Sequence, residues 1–196
     1  MSDRPVRLAV ITGSARPQRL SATVAEWFVA QARVRADLAL DVIDLADVSL
    51  PLDGPVLDPS PQAKEELENT GPRLAEADAF VVVTPEYNHS FPAVLKNFID
   101  WHLIEWRAKP VGFVSHGGGV GGGLRAVEQL RQVFAELHAV TVRDTVSFHG
   151  GQAAFDEHGN PRDAEGCGGA AKKMLDQILW WATALREARA RHPYAA

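Results

Sequence analysis

Three short segments hold most of the residues able to do chemistry. The first is Gly13-Ser14-Ala15-Arg16-Pro17-Gln18-Arg19-Leu20-Ser21. A glycine that lets the chain turn close to a ligand, two hydroxyls and the free N–H groups opening a helix describe a monophosphate site. Arg16 and Arg19 could add charge. The segment has neither the Gly-Lys-Ser/Thr ending of a Walker loop nor the Gly-x-Gly-x-x-Gly of dinucleotide-binding turns. A capped helix start with two solvent-facing arginines would use the same residues. The second segment is Thr84-Pro85-Glu86-Tyr87-Asn88-His89-Ser90-Phe91-Pro92. Its prolines pin a rigid, polar, aromatic loop, which suits a flat heterocycle. The plainer alternative is a strand-to-helix corner with Pro92 near the first helical position. The third is Ser115-His116-Gly117-Gly118-Gly119-Val120-Gly121-Gly122-Gly123. Its glycines permit close backbone approach and positive φ. A mobile loop is the alternative.

These segments need elements to position them. Arg7 to Thr12 reads as a buried strand. Ser21 to Arg35 has helical spacing, with Ser21 as candidate cap. Leu38 to Leu45 is a second strand. Ala46 to Thr70 is proline-rich and holds a charged helical piece from Gln62 to Glu68, and a separate short helix follows from Pro72 to Ala77. Ala79 to Thr84 is an apolar strand ended by Pro85. Pro92 to Trp106 is a helix with Val94, Leu95, Phe98, Ile99 and Leu103 on one stripe. Pro110 to Ser115 is a strand, Leu124 to Leu137 a helix and Val140 to Phe148 a fifth strand. Gly150 to Gly169 is polar and turn-rich. Ala170 to Arg191 closes the chain as a helix with Met174, Leu175, Ile178, Leu179, Trp181 and Leu185 inward.

Strands alternating with helices predict a single α/β domain over residues 1–196, doubly wound in three layers around a five-stranded parallel sheet. Ligands of such sheets bind outside the carboxyl ends of the strands. All three segments fall on that edge. Together they make a phosphate pocket at strand one and a flat polar slot at strands three and four. That is the shape expected for a mononucleotide with a planar ring, such as FMN.

Composition narrows the classes. The 196 residues carry 20 Lys plus Arg and 25 Asp plus Glu, a formal net charge of −5, which argues against wrapping nucleic acid. A single cysteine, Cys167, cannot form an internal disulfide or a cysteine-built metal site. It reads as an incidental thiol in a polar loop. His102, His138, His149, His158 and His192 have no metal spacing. Asp156 to Pro161 reads as a tight turn rather than a calcium loop, since the closing Glu is missing. No segment approaches the about 20 apolar residues of a membrane span. The apolar run Leu8 to Ile11 is too short for a secretory signal. A cytoplasmic, soluble protein is expected.

Gly13-Ser14-x-Arg16 with Ser21, joined to Pro85-Glu86-Tyr87-Asn88-x-Ser90-x-Pro92-x-x-Leu95-Lys96-Asn97-x-Ile99-Asp100-Trp101, resembles the NADPH-dependent FMN reductase family. The glycine-rich segment followed by Leu124 to Arg131 is also similar, and the resemblance runs from about Arg7 to Phe148. It implies a flavodoxin-like fold with strand order 2-1-3-4-5. It assigns Ser14, Arg16 and Ser21 to the FMN phosphate. Pro85, Glu86, Tyr87 and Asn88 fall to the ribityl chain and ring edge, and Ser115, His116, Gly117 and Gly118 to the pyrimidine end. It further implies homodimers or homotetramers, with the helices after the second and third segments in the interface. Trp101 and Trp106 would then be exposed there, or else simply core.

The activity implied is an oxidoreductase. NAD(P)H would pass hydride to bound FMN, and a quinone, free flavin or azo compound would take the electrons by a ping-pong cycle. Backbone N–H groups of Glu86 to Asn88 and of Gly117 and Gly118 would steady the ring, with no side chain needed as proton donor. Two alternatives stay open. One is a flavodoxin-like electron carrier. The other is a redox-sensing flavin-binding protein that grips a partner.

Overall fold

The computed structural model describes residues 4–52 and 54–195. Met1 to Asp3, at the start of the segment read for a secretory signal, lie outside them. Four long parallel strands, β1 (Val6–Thr12), β2 (Leu38–Asp44), β3 (Ala79–Pro85) and β4 (Pro110–His116), form the centre of one sheet. Two short strands, β5 (Val140–Thr141) and β6 (Val146–Phe148), both pair with β4 in parallel. The path is β2-β1-β3-β4-β5, with β6 on the same flank of β4 as the continuation of the fifth position. Among the described residues five α-helices cover the faces: α1 (Leu20–Arg33), α2 (Pro61–Glu76), α3 (Ala93–Trp101), α4 (Leu124–Glu136) and α5 (Ala164–Arg191).

β1 shows why there are three layers. Its side chains alternate across the sheet. Val6, Leu8 and Val10 join Val24 and Phe28 of α1 and Met174 and Ile178 of α5. Ala9 and Ile11 join Leu74 of α2, Phe98 of α3 and Leu130 of α4. β3 and β4 are wholly buried, which is why they are near-continuous apolar runs, with polar Thr84, Ser115 and His116 only at their carboxyl ends.

The sequence periodicity misplaces several boundaries, each for a tertiary reason. The fifth strand is split at residues 142–145. There Arg131 reaches from α4 to donate to the carbonyls of Val142 and Arg143, and Gln177 accepts from the Asp144 N–H. The Val142 N–H still bonds the Val111 carbonyl of β4 at 2.9 Å, and these side-chain bonds take over from there. α2 runs unbroken through Pro72. Proline removes one helical bond, and the following turn is held by Leu74 in the core and Arg73 on Asp41. α3 stops at Trp101 rather than Trp106. His102 leaves the helix to bond Thr70 Oγ1 at 2.9 Å and the Phe98 carbonyl at 2.9 Å. Leu103 is consequently half exposed, whereas Trp106 is fully buried against Phe80, Phe98 and Phe134. Trp101 is buried as well, so both tryptophans belong to the chain's own core. α5 starts at Ala164 because Asp163 caps it, its Oδ1 accepting from the Gly166 N–H at 2.9 Å. Cys167 therefore lies on a helix, not in a loop. Trp181 turns toward solvent instead of inward.

Candidate functional site

The carboxyl ends of β1, β3 and β4 open into one cavity of about 300 Å³, within the range of small-ligand pockets. Ser14, Arg16, Ser21, Pro85, Glu86, Tyr87, His116, Gly117 and Gly118 all line it. Two predicted site residues do not. Ser115 is fully buried, its hydroxyl donating to the Gly122 carbonyl at 2.8 Å. Asn88 sits at positive φ in the tight turn that bridges Tyr87 to Ser90.

The first loop reaches the cavity by a close crossing. The Gly13 N–H bonds the Val83 carbonyl at 2.8 Å, and a Cβ there would lie 3.0 Å from both that oxygen and Leu95. So Gly13 is small because of the sheet and α3, not because of a ligand. α1 then starts at Leu20 with Arg19 as N-cap residue and no side-chain cap. A helix start leaves its first N–H groups without i−4 acceptors, and here that of Ala22 bonds the Arg19 carbonyl at 3.3 Å. Ser21 is not the cap. It lies inside the first turn, buried, with Oγ 2.8 Å from His116 Nε2.

His116 ends β4 and ties that strand to α1. Burial pushes its pKa down to about 4, so the ring is neutral at pH 7. The resemblance places His116 and Ser21 at opposite ends of the ligand, yet this bond brings them together. Ser14 Oγ lies 3.2 Å from the Tyr87 hydroxyl, and the Arg16 guanidinium stands 5.6 Å over the Tyr87 ring. Glu86 is tied to the start of α4, accepting from Arg125 Nη1 at 3.0 Å and from the Arg125 N–H at 3.2 Å.

The glycine-rich segment divides in two. Gly122 and Gly123 have positive φ, and a Cβ on Gly123 would come within 2.9 Å of the His116 N. They fold the loop back onto β4. Gly117 and Gly118 face the cavity, and a Cβ on Gly118 would meet open space. Not every backbone donor here is open. The Gly117 N–H bonds the Phe148 carbonyl, Glu86 N–H the His116 carbonyl, and Tyr87 N–H the Ser90 carbonyl.

Gly151 and Gln152 also line the cavity, although sequence reading passes over them. They follow β6, and the Gly151 N–H bonds the Gly117 carbonyl at 2.9 Å. The signal was the Gly150-Gly151 pair at the end of a strand, both at positive φ. Among the described residues no cluster of His, Cys, Asp or Glu could hold a metal ion. Asp156 makes the expected turn, accepting from the N–H groups of His158 and Asn160.

The donor set fits FMN. The uncapped start of α1 with Arg16 and Arg19 can meet a phosphate, and Arg19 Nε is buried without a partner among the described residues. Tyr87, Pro85, Gly117 and Gly118 border the remaining space. A phosphate-type pocket on the edge of a sheet in this strand order marks a flavodoxin-like mononucleotide-binding protein.

The comparisons agree and narrow the class. The sequence profile described as NADPH-dependent FMN reductase matches residues 6–153. The chain belongs to that family, whose members are oxidoreductases that use FMN and NAD(P)H. An NADPH:quinone oxidoreductase of Arabidopsis thaliana is 34% identical over 148 residues, 72% of this chain and 71% of that protein. An NAD(P)H-dependent FMN reductase of Schizosaccharomyces pombe is 36% identical over 120 residues, 59% of this chain. That match spans 60% of the yeast protein's length. In fold, the chain is similar to the flavoenzyme NAD(P)H:(acceptor) oxidoreductase FerB of Paracoccus denitrificans. The TM-score is 0.68 at 23% identity, covering 88% of this chain and 97% of that one. Among the described residues no helix is long and apolar enough to cross a membrane.

Proposed function

We propose that this chain is an FMN-dependent NAD(P)H oxidoreductase acting on a quinone, a free flavin or a similar small acceptor in ping-pong fashion. The observation that carries this reading is the edge cavity, with an uncapped helix start and arginines beside an open polar slot. Bound there, FMN would supply the redox chemistry, hydride acceptance from NAD(P)H and electron delivery to the acceptor. The chain's own residues bind, orient and shield. Glu86, clamped by Arg125, holds the second loop against α4. Tyr87 forms one wall, fixed by Ser14 and Arg16. His116, neutral and bonded to Ser21, keeps β4 and α1 at a set spacing. None of these side chains is needed as a proton donor, and one open mouth serves both substrates in turn, which is the basis for ping-pong order.

A second copy of the chain is also proposed, docking on the end of α3. Leu103 and Ile104 are exposed there. The loop carrying exposed Leu52 is pinned alongside, by Asn97 to the Leu50 carbonyl and Trp101 to the Pro51 carbonyl. Light scattering of wild type and of L103K/I104K tests it. The expected result is an oligomer that the double substitution dissociates.

The activity is tested by an anaerobic visible spectrum of the FMN-loaded protein. The band should bleach with NADPH and return with a quinone. A band untouched by either NADPH or NADH would favour an electron carrier or sensor instead.

A further inference from the structure

The second loop is gripped from α4 on both sides of the Tyr87 wall. Before Tyr87, the Glu86 carboxylate accepts from the side chain and the N–H of Arg125. After it, the His89 carbonyl accepts from Gln129 Nε2 at 2.6 Å. Arg125 and Gln129 stand at i and i+4, so they share one stripe of α4. Between the two grips the chain makes a two-residue hairpin. The Tyr87 N–H bonds the Ser90 carbonyl at 2.8 Å, and the Ser90 N–H bonds the Tyr87 carbonyl at 3.0 Å. Both central residues are left-handed, Asn88 at φ 50° and His89 at φ 68°. Turns of this kind favour Asn-Gly, because glycine meets no Cβ penalty at the second position. Asn88 suits the first position. His89 does not suit the second, and its carbonyl is the one that Gln129 holds.

A backbone held in a sparsely populated region persists only where its surroundings fix it. Burial does not fix this turn, since Asn88 and His89 are both exposed. We infer that Gln129 is a positioning residue for the reaction: its bond to the His89 carbonyl keeps the glycine-free turn closed, and the closed turn keeps Tyr87 as a wall of the slot that takes a flat electron acceptor. Ser14 and Arg16 steady the Tyr87 side chain from the first loop, while Gln129 fixes the backbone that follows it. Gln129 does not line the cavity, so it acts through the turn. This inference rests on the proposed oxidoreductase reading.

The test compares wild type with Q129A, Q129E, H89G and H89G/Q129A by two readouts. One is amide hydrogen exchange at Tyr87 and Ser90, which needs no turnover. The other is steady-state reduction of 1,4-benzoquinone by NADPH with the FMN-loaded protein. Q129A, and Q129E with its donor gone, should speed exchange at both amides by about three- to tenfold, as loss of one hydrogen bond does. KM for benzoquinone should rise by a similar factor, with kcat little changed and the thermal midpoint where it was. Glycine at the strained position makes the brace dispensable, so H89G/Q129A should match H89G in both readouts. Unchanged exchange in Q129A would overturn the inference. So would a loss from Q129A that is equally large in the H89G background, because Gln129 would then act by a route other than the turn. Faster exchange with an unchanged KM would overturn the link from the turn to the acceptor. In these cases the oxidoreductase reading would stand. Wild type that passes no electrons to benzoquinone would bring down that reading and the acceptor role with it, while exchange would still decide the brace.

Discussion

The two ends of the sheet both gather arginines, but they use them differently. At the amino ends of the strands, Asp78 is buried and receives Arg4 at 2.7 and 2.9 Å, Arg186 at 3.3 Å and the Arg7 N–H at 3.0 Å. Arg189 lies 3.9 Å away and also donates to the Ala108 carbonyl. Lys109 places its ammonium on the Leu74 and Ala75 carbonyls at the end of α2, both at 2.8 Å. Each of these cations has protein acceptors, and together they tie the segment just before β1 and the last turns of α5 to the sheet. At the carboxyl ends, the helix start has no side-chain cap, and among the described residues the Arg19 Nε has no acceptor. Positive charge alone therefore does not make an anion site. The difference lies in which donors remain open.

Breaking the lower cluster should have the largest effect on stability. Asp78→Asn takes the carboxylate from the mostly buried Arg186 and Arg189 and from the half-exposed Arg4, and should cost about 3–5 kcal/mol in denaturant unfolding. FMN affinity of the folded fraction should stay near wild type. A large loss of FMN affinity with unchanged stability would reverse the roles of the two ends.

His116 gives the upper end a pH signature. The unfolded imidazole titrates near 6.5 and the folded one near 4. Between those values the unfolded chain binds more protons. Stability contributed by the neutral ring is present above pH 6.5 and falls away as pH drops toward 4, by about 3 kcal/mol. His116→Gln can still bond Ser21 but cannot titrate. Its unfolding free energy should be flatter than wild type across that window.

The smallest effect is expected at Glu86. Its partner Arg125 is half exposed, so Glu86→Gln should change stability by less than about 1 kcal/mol. Loosening the second loop should show instead in kinetics, as a raised KM for the acceptor with kcat less affected. Equal stability and equal KM would mean that the clamp is idle.

The same contrast explains what the sequence could reveal. β1, β3 and β4 read clearly because strands buried on both faces must be continuous apolar runs. Three loops after those strands could be placed on one edge by the geometry of parallel sheets alone. The split fifth strand could not, since it depends on Arg131 and Gln177 reaching in from other elements. Nor could the end of α3, where His102 answers to Thr70 on α2. Gly151 and Gln152 enter the site only because β6 pairs with the upper half of β4. Spacing likewise does not tell Arg16 from Arg19, whose partner Asp44 lies 25 residues away in the chain.

The most direct test is an FMN titration of the isotope-labelled apoprotein followed through its backbone amide resonances. An FMN site at the carboxyl ends of the strands requires shifts at Ser14 to Ala22, at Glu86 and Tyr87, at Gly117 and Gly118 and at Gly151 and Gln152. Asp78, Lys109 and Arg189 should stay unmoved. Shifts centred on the Asp78 cluster, or none on the upper edge at saturating FMN, would contradict it.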